Sequence, residues 1–151
     1  MSMLDAARMD ATLVAALGAV LPGVQALEGK VEDSLSEDLP FSVIVALGTG
    51  PSQWLLRVAC AQGLCASLLA RMLGRAASAA EIEEMGAEAL AEFGNLLAGR
   101  VASLLGDQGL DVEIGIPRAA VTGTALAGQR WRHNGHVFTL ALQHVEQESG
   151  T

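Results

Sequence analysis

Glu88-Ala89-Leu90-Ala91-Glu92-Phe93-Gly94-Asn95-Leu96-Leu97-Ala98-Gly99-Arg100 is the stretch that settles how the rest of the chain is read. Turned at about 100° per residue, the segment from Ala80 to Leu105 separates into two faces. Ile82, Leu90, Phe93, Leu97, Val101 and Leu104 form a broad apolar arc. Glu81, Glu84, Glu88, Glu92 and Asn95 lie opposite, and Gly99, Ala102 and Ser103 continue that side. This pattern predicts a long helix with one side in a core and the other in water. Only Glu83 falls on the apolar side, near the first turn, where helix ends fray.

The polar face is the unusual part. Glu92 and Asn95 are three residues apart, so their side chains are neighbours on one surface. Gly94 in a helix interior costs about 1 kcal/mol against Ala, and Asn95 about half as much. Close packing against another element accounts for Gly94. No packing argument accounts for an exposed asparagine in mid-helix. Beyond it Gly99, Ala102 and Ser103 leave the surface flat, with room for a docking partner. A carboxylate and an amide presented together on a stiff helix suit a site that acts on another molecule's chemistry.

Composition narrows the classes. A chain of 151 residues has the length of one domain, residues 1–151, with enough chain to bury a proper core. Apolar residues make up 51% but aromatics only 3%, so aliphatic side chains must fill the interior. The net charge of −8 argues against nucleic acid or an anionic membrane surface as the main partner, and favours a partner with a basic rim. Asp5, Arg8 and Asp10 precede the first apolar run, unlike a secretory signal. The most apolar candidate span, Trp54 to Leu73, is interrupted by Arg57, Gln62 and Arg71. The expected location is therefore the cytoplasm.

Cys60 and Cys65 make no disulfide framework, and their spacing matches no zinc pattern, so both are expected in the core. His133 and His136 flank Asn134-Gly135, and His136 shares strand parity with His144, which places them at surface or pairing positions rather than on a metal. Gly48-Thr49-Gly50 is read as a hairpin turn, because the segment after it looks extended and no βαβ unit surrounds it. No nucleophile–base–acid set and no metal or cofactor site of the chain's own is expected.

In chain order, Asp5 to Leu21 reads as an amphipathic helix ended by Pro22-Gly23. Glu28 to Pro40 reads as an acidic connection with at most a short strand. Phe41 to Leu47 and Gln53 to Ala59 have strand composition. Ala61 to Leu73 is helical and stops at Gly74. Ser78 is placed to cap the long helix, with Glu81 as its capping-box partner. Leu110 to Ile116 alternates like a strand, and Ala119 to Gly123 leads into a turn. Gln129 to Arg132 and His136 to His144 form a terminal hairpin about Asn134-Gly135. The last six residues are polar and expected to be loose. The whole predicts an α+β fold, with a largely antiparallel sheet of about five or six strands covered by the long central helix and shorter helices.

Glu-x-x-Asn within Gly86-Ala87-Glu88-Ala89-Leu90-Ala91-Glu92-Phe93-Gly94-Asn95-Leu96-Leu97-Ala98-Gly99 resembles the signature helix of the CheX/CheC/FliY chemotaxis phosphatases. The segment Ala66 to Gly74, the strand pair before it and Ile116-Pro117-Arg118-Ala119-Ala120-Val121-Thr122-Gly123 also look like their counterparts in CheX. One copy of the motif resembles CheX more than CheC or FliY, which typically carry two. The chain departs from the family by Leu96-Leu97 where Met-Val or Met-Ile is common, and by Phe93-Gly94 between the key residues.

The resemblance implies a CheC/CheX-like fold and a phosphatase acting on the phosphoaspartate of a CheY-like response regulator. It implies Asn95 as the residue that orients the attacking water and Glu92 as the one that docks on a basic receiver residue. Glu88 would add rim charge, and Gly99 belongs to the flat partner-binding surface. It implies a divalent metal, Mg, held by the receiver, and homodimerisation. Two alternatives are a non-catalytic receiver-binding or dimerisation module, and a small-ligand sensor.

Overall fold

A computed structural model describes residues 5–30, 41–49, 52–119 and 129–146. The chain runs through α1 (Ala6–Val20), β1 (Gln25–Lys30), β2 (Phe41–Thr49), β3 (Ser52–Cys60), α2 (Gln62–Leu73) and α3 (Ala79–Asp107). It closes with β4 (Glu113–Ile114), β5 (Arg118–Ala119), β6 (Gln129–His133) and β7 (His136–Glu146). Of the last six residues expected to be loose, Glu146 ends β7 and 147–151 lie outside the described residues, as do the acidic connection over 31–40 and the turn after Ala119.

Two hairpins build the centre of the sheet. β2 and β3 pair antiparallel from Phe41↔Cys60 to Thr49↔Ser52, a hairpin as expected, though Gly48 and Thr49 belong to the strand rather than the turn and residues 50–51 lie outside the described ones. β6 and β7 pair from Gln129↔Leu140 to His133↔His136. Their turn places Asn134 at φ 50° and Gly135 at φ 81°, the left-handed pair that a two-residue hairpin demands. β3 against β7 joins the hairpins, and the strand order is β1-β6-β7-β3-β2-β4, with two-residue β5 also on β2. Among the described residues every pairing is antiparallel, in line with the largely antiparallel sheet the sequence predicts.

Because side chains alternate along a strand, one face of this sheet collects Val43, Val45 and Leu47 of β2, Trp54, Leu56, Val58 and Cys60 of β3, and Phe138 and Leu140 of β7, all buried. The helices cover that face. Phe93 of α3 meets Phe138 edge-on with ring centroids 6.0 Å apart. α1 runs back along α3: Arg8 Nε donates to Gln108 Oε1 at 2.7 Å, while at the other end Val20 and Leu21 line one groove with Ala89 and Phe93.

Two boundaries differ from the sequence reading. β1 begins at Gln25, ahead of the segment marked as a connection, and its alternation is too short to stand out from sequence. From Leu110 to Ile116 only Glu113–Ile114 is strand; it pairs with Leu47 and Gly48 at the sheet edge, and Ile116 stands 86% exposed. An alternating pattern predicts an extended chain but not a neighbour on both sides.

The start of α3 follows the sequence closely. Glu81 N donates to Ser78 Oγ at 3.2 Å, and Ser78 N donates to Glu81 Oε1 at 3.0 Å, completing the capping box. Ser78→Ala is expected to lower stability by about 1 kcal/mol, read as a shift in the urea midpoint at constant slope. Arg75 grips the same carboxylate through two nitrogens, at 2.8 and 2.6 Å, and together with the Ser78 N–H holds the Glu81 pKa at about 2. A carboxyl depressed in the folded state stabilises fully above its ordinary pKa, near 4.5, and loses that stabilisation as the pH falls toward 2. The melting difference between wild type and Glu81→Gln should therefore persist at neutral pH and close between pH 4.5 and 2.

Candidate functional site

The site rests on how firmly α3 is held from below. Its 29 residues form a rod about 43 Å long at 1.5 Å per residue. Phe93, Gly94, Leu97, Ala98 and Val101 are buried, and this underside faces the sheet. Gly94 is a point of close approach: a Cβ there would lie 3.2 Å from Val43 Cγ1 and 3.3 Å from Val45 Cγ2. The sequence expectation that Gly94 serves close packing is met on β2.

With that underside fixed, the opposite side is fixed too. Glu88, Glu92 and Asn95 are all exposed, and Gly99 is half-buried. Glu92 and Asn95 stand one turn apart and reach outward from a helix that cannot roll without unpacking Phe93 and Leu97, which are 2% and 0% exposed. The arrangement offers a carboxylate acceptor beside an amide that can both donate and accept, on an open surface.

Apolar side chains flank this polar ridge, and the sequence reading did not single them out. On one side Leu96 and Met72 are 54% and 56% exposed at the edge of a groove of about 250 Å³ between α1, α2 and α3. On the other, Gly99 comes within reach of Ile114, whose Cδ1 would lie 4.0 Å from an added Cβ, and Ile116 stands exposed beyond it. A sequence signal for Leu96 existed: four residues past Glu92, it falls only about 40° around the helix from that carboxylate, on the side otherwise given to polar residues.

The other residues singled out from sequence play structural parts. Cys60 and Cys65 are buried in the core with their sulfurs 3.4 Å apart. The hydrogen bond with Cys65, followed by burial, pushes the Cys60 thiol far above its ordinary pKa, so it stays protonated. His133 and His136 pair across the hairpin, as expected. The His133 ring, however, turns to the helix side and is buried, where Nε2–H donates to the Pro22 carbonyl at 3.1 Å and ties the end of α1 to β6. His144 lies over Trp54 with ring centroids 4.6 Å apart. Among the described residues no group of three or more His, Cys, Asp or Glu is placed to hold a metal ion, and no helix is long and apolar enough to cross a membrane.

No curated protein sequence matches the chain. Solved structures do. A chain of the CheX–CheY–BeF3–Mg2+ complex from Borrelia burgdorferi superposes with a TM-score of 0.66 at 16% identity, over 91% of this chain and 96% of that one. The chemotaxis protein CheX from Desulfovibrio desulfuricans gives 0.66 at 15% identity, over 91% and 99%. A CheC-like superfamily protein from Shewanella sp. PV-4 gives 0.65 at 16% identity, over 91% and 94%. At such identities the likeness is one of fold: an antiparallel sheet with helices on it. The family model of the chemotaxis phosphatase CheX matches residues 41–140, from the first strand of the central hairpin to the middle of β7 and through the whole of α3. With well over half its length matched in this way, the chain belongs to the CheX family of chemotaxis phosphatases.

Proposed function

We propose that this protein hydrolyses the phosphoaspartate of a CheY-like response regulator, with Asn95 orienting the attacking water and Glu92 docking the receiver. The observation that supports this reading is the pair itself: an exposed carboxylate and amide on a rod whose underside is packed too tightly to turn. The neighbouring fold captured as a CheX–CheY complex with BeF3 and Mg2+ supports the choice of partner.

An acyl phosphate is already an activated mixed anhydride, so the helper need only place a water in line and hold the geometry. The water oxygen bonds to phosphorus as the bond from phosphorus to the aspartyl oxygen breaks. The aspartate leaves as a carboxylate, and inorganic phosphate departs as the dihydrogen anion, carrying the water's oxygen and both of its protons. A divalent metal such as Mg, held by the receiver, would offset phosphoryl charge. The Asn95 side-chain oxygen accepts from the water, while its amide N–H is free to donate to a phosphoryl oxygen. Glu92 pairs with a basic receiver residue and sets the register. Glu88 adds negative charge to the rim, and Gly99 lets the partner come close. In this reading residues 1–151 work as one cytoplasmic domain, and a homodimer forms through an exposed sheet edge.

The test is the lifetime of a phosphorylated receiver with and without this protein. A shortened lifetime supports the phosphatase. An unchanged lifetime with intact binding leaves a docking module instead.

A further inference from the structure

The groove beside Glu92 has no part in positioning water, yet it opens on the same surface. Its floor is apolar and buried, formed by Leu21, Leu68 and Phe93, and its rim carries the exposed Leu96 and Met72. Among the described residues its charged walls are Arg71 from α2 and Glu92 from α3. Side chains as apolar as Leu96 and Met72, more than half exposed around a concave floor, are what a partner covers rather than what water solvates.

We infer that this groove is a specificity pocket for the receiver. It takes one bulky apolar side chain from the receiver surface beside the phosphoaspartate, flanked by an acidic residue that meets Arg71. The inference rests on the phosphatase reading for the identity of the partner. Three observations carry it. Glu92 belongs both to the proposed docking pair and to the groove wall, so the two surfaces are continuous. Leu96 follows Asn95 directly, and an interface of standard size covers about 800 Å² per partner, a patch about 30 Å across. A receiver seated over Asn95 therefore closes the mouth of the groove. Arg71 and Glu92 on opposing helices also set a charge order: the occupant needs an acidic group toward α2 and a basic one toward α3. In a chain of net charge −8, a cation at this position selects for a particular partner rather than following the general field.

The variants are Leu96→Glu, Met72→Glu and Arg71→Glu. All three side chains are exposed, so the proteins should melt close to wild type, which thermal unfolding verifies. Each is measured against CheY receivers encoded in the same genome: hydrolysis with the phosphorylated form, and affinity with the form charged by beryllofluoride and magnesium. The expected result is a KM raised about tenfold or more, with kcat within about twofold and affinity weakened in step. An unchanged KM in Leu96→Glu and Met72→Glu overturns the pocket while leaving the phosphatase reading in place. A fall in kcat at constant KM also overturns it, since Leu96 would then act by steadying Asn95. Wild-type binding without hydrolysis, lost in Leu96→Glu, upholds the pocket and removes the phosphatase reading. A wild-type protein that neither binds nor dephosphorylates any receiver removes both.

Discussion

Asn95→Ala is expected to slow the assisted loss of receiver phosphate by on the order of 100-fold, the usual loss when one group that aligns or stabilises the reacting atoms is removed. The substitution should not disturb the fold. Asn95 is exposed, and replacing a mid-helix Asn by Ala improves helix propensity by about 0.5 kcal/mol. Affinity for the beryllofluoride-charged receiver should stay within about threefold of wild type, because the docking contacts assigned to Glu92 and the apolar rim remain. The split between lost rate and retained affinity is the signature of a group that works on the water. Asn95→Ala with wild-type hydrolysis would move the chemistry elsewhere on the chain, and loss of binding together with rate would make Asn95 a docking residue.

Gly94→Leu is the second large effect, and it acts through packing. Even a methyl at Gly94 would press on Val43 and Val45 at 3.2 and 3.3 Å. Both valines are β-branched, with little freedom at χ1, and both sit on a strand paired on each side. For Ala the helix-propensity gain of about 1 kcal/mol offsets much of the crowding, so Gly94→Ala should be close to neutral. Leu has no such compensation, and overpacking of this kind costs about 3 kcal/mol. For a domain of this length that lowers the melting temperature by about 10 °C. Any helix that survives is pushed off β2, so Asn95 moves with it and activity should fall further than stability alone explains. A Gly94→Leu protein that melts and works like wild type would mean α3 does not meet β2 there.

Much of the fold is legible in the chain because its signals are local. Asn134-Gly135 announces a hairpin through the only backbone it can easily adopt, and Ser78 with Glu81 announces the start of α3 through two hydrogen bonds four residues wide. The 3.6-residue rhythm of α3 predicts which side is buried, and the position of Glu92 and Asn95 on the other side follows from the same rhythm. β1 was not legible, and neither was the shortness of β4 within the expected strand Leu110 to Ile116, because pairing at a sheet edge is set by one partner far away in sequence.

The residues at the site divide the same way. Spacing along one helix by itself determined that a carboxylate and an amide share an exposed face, since i and i+3 neighbours are fixed by helix geometry alone. Only the tertiary structure decided that Leu96, Met72 and Arg71 gather beside that face, because they come from two helices and their meeting depends on how α2 and α3 pack on the sheet. It alone decided, too, that the missing side chain of Gly94 is matched by Val43 and Val45, and so how firmly the pair is held.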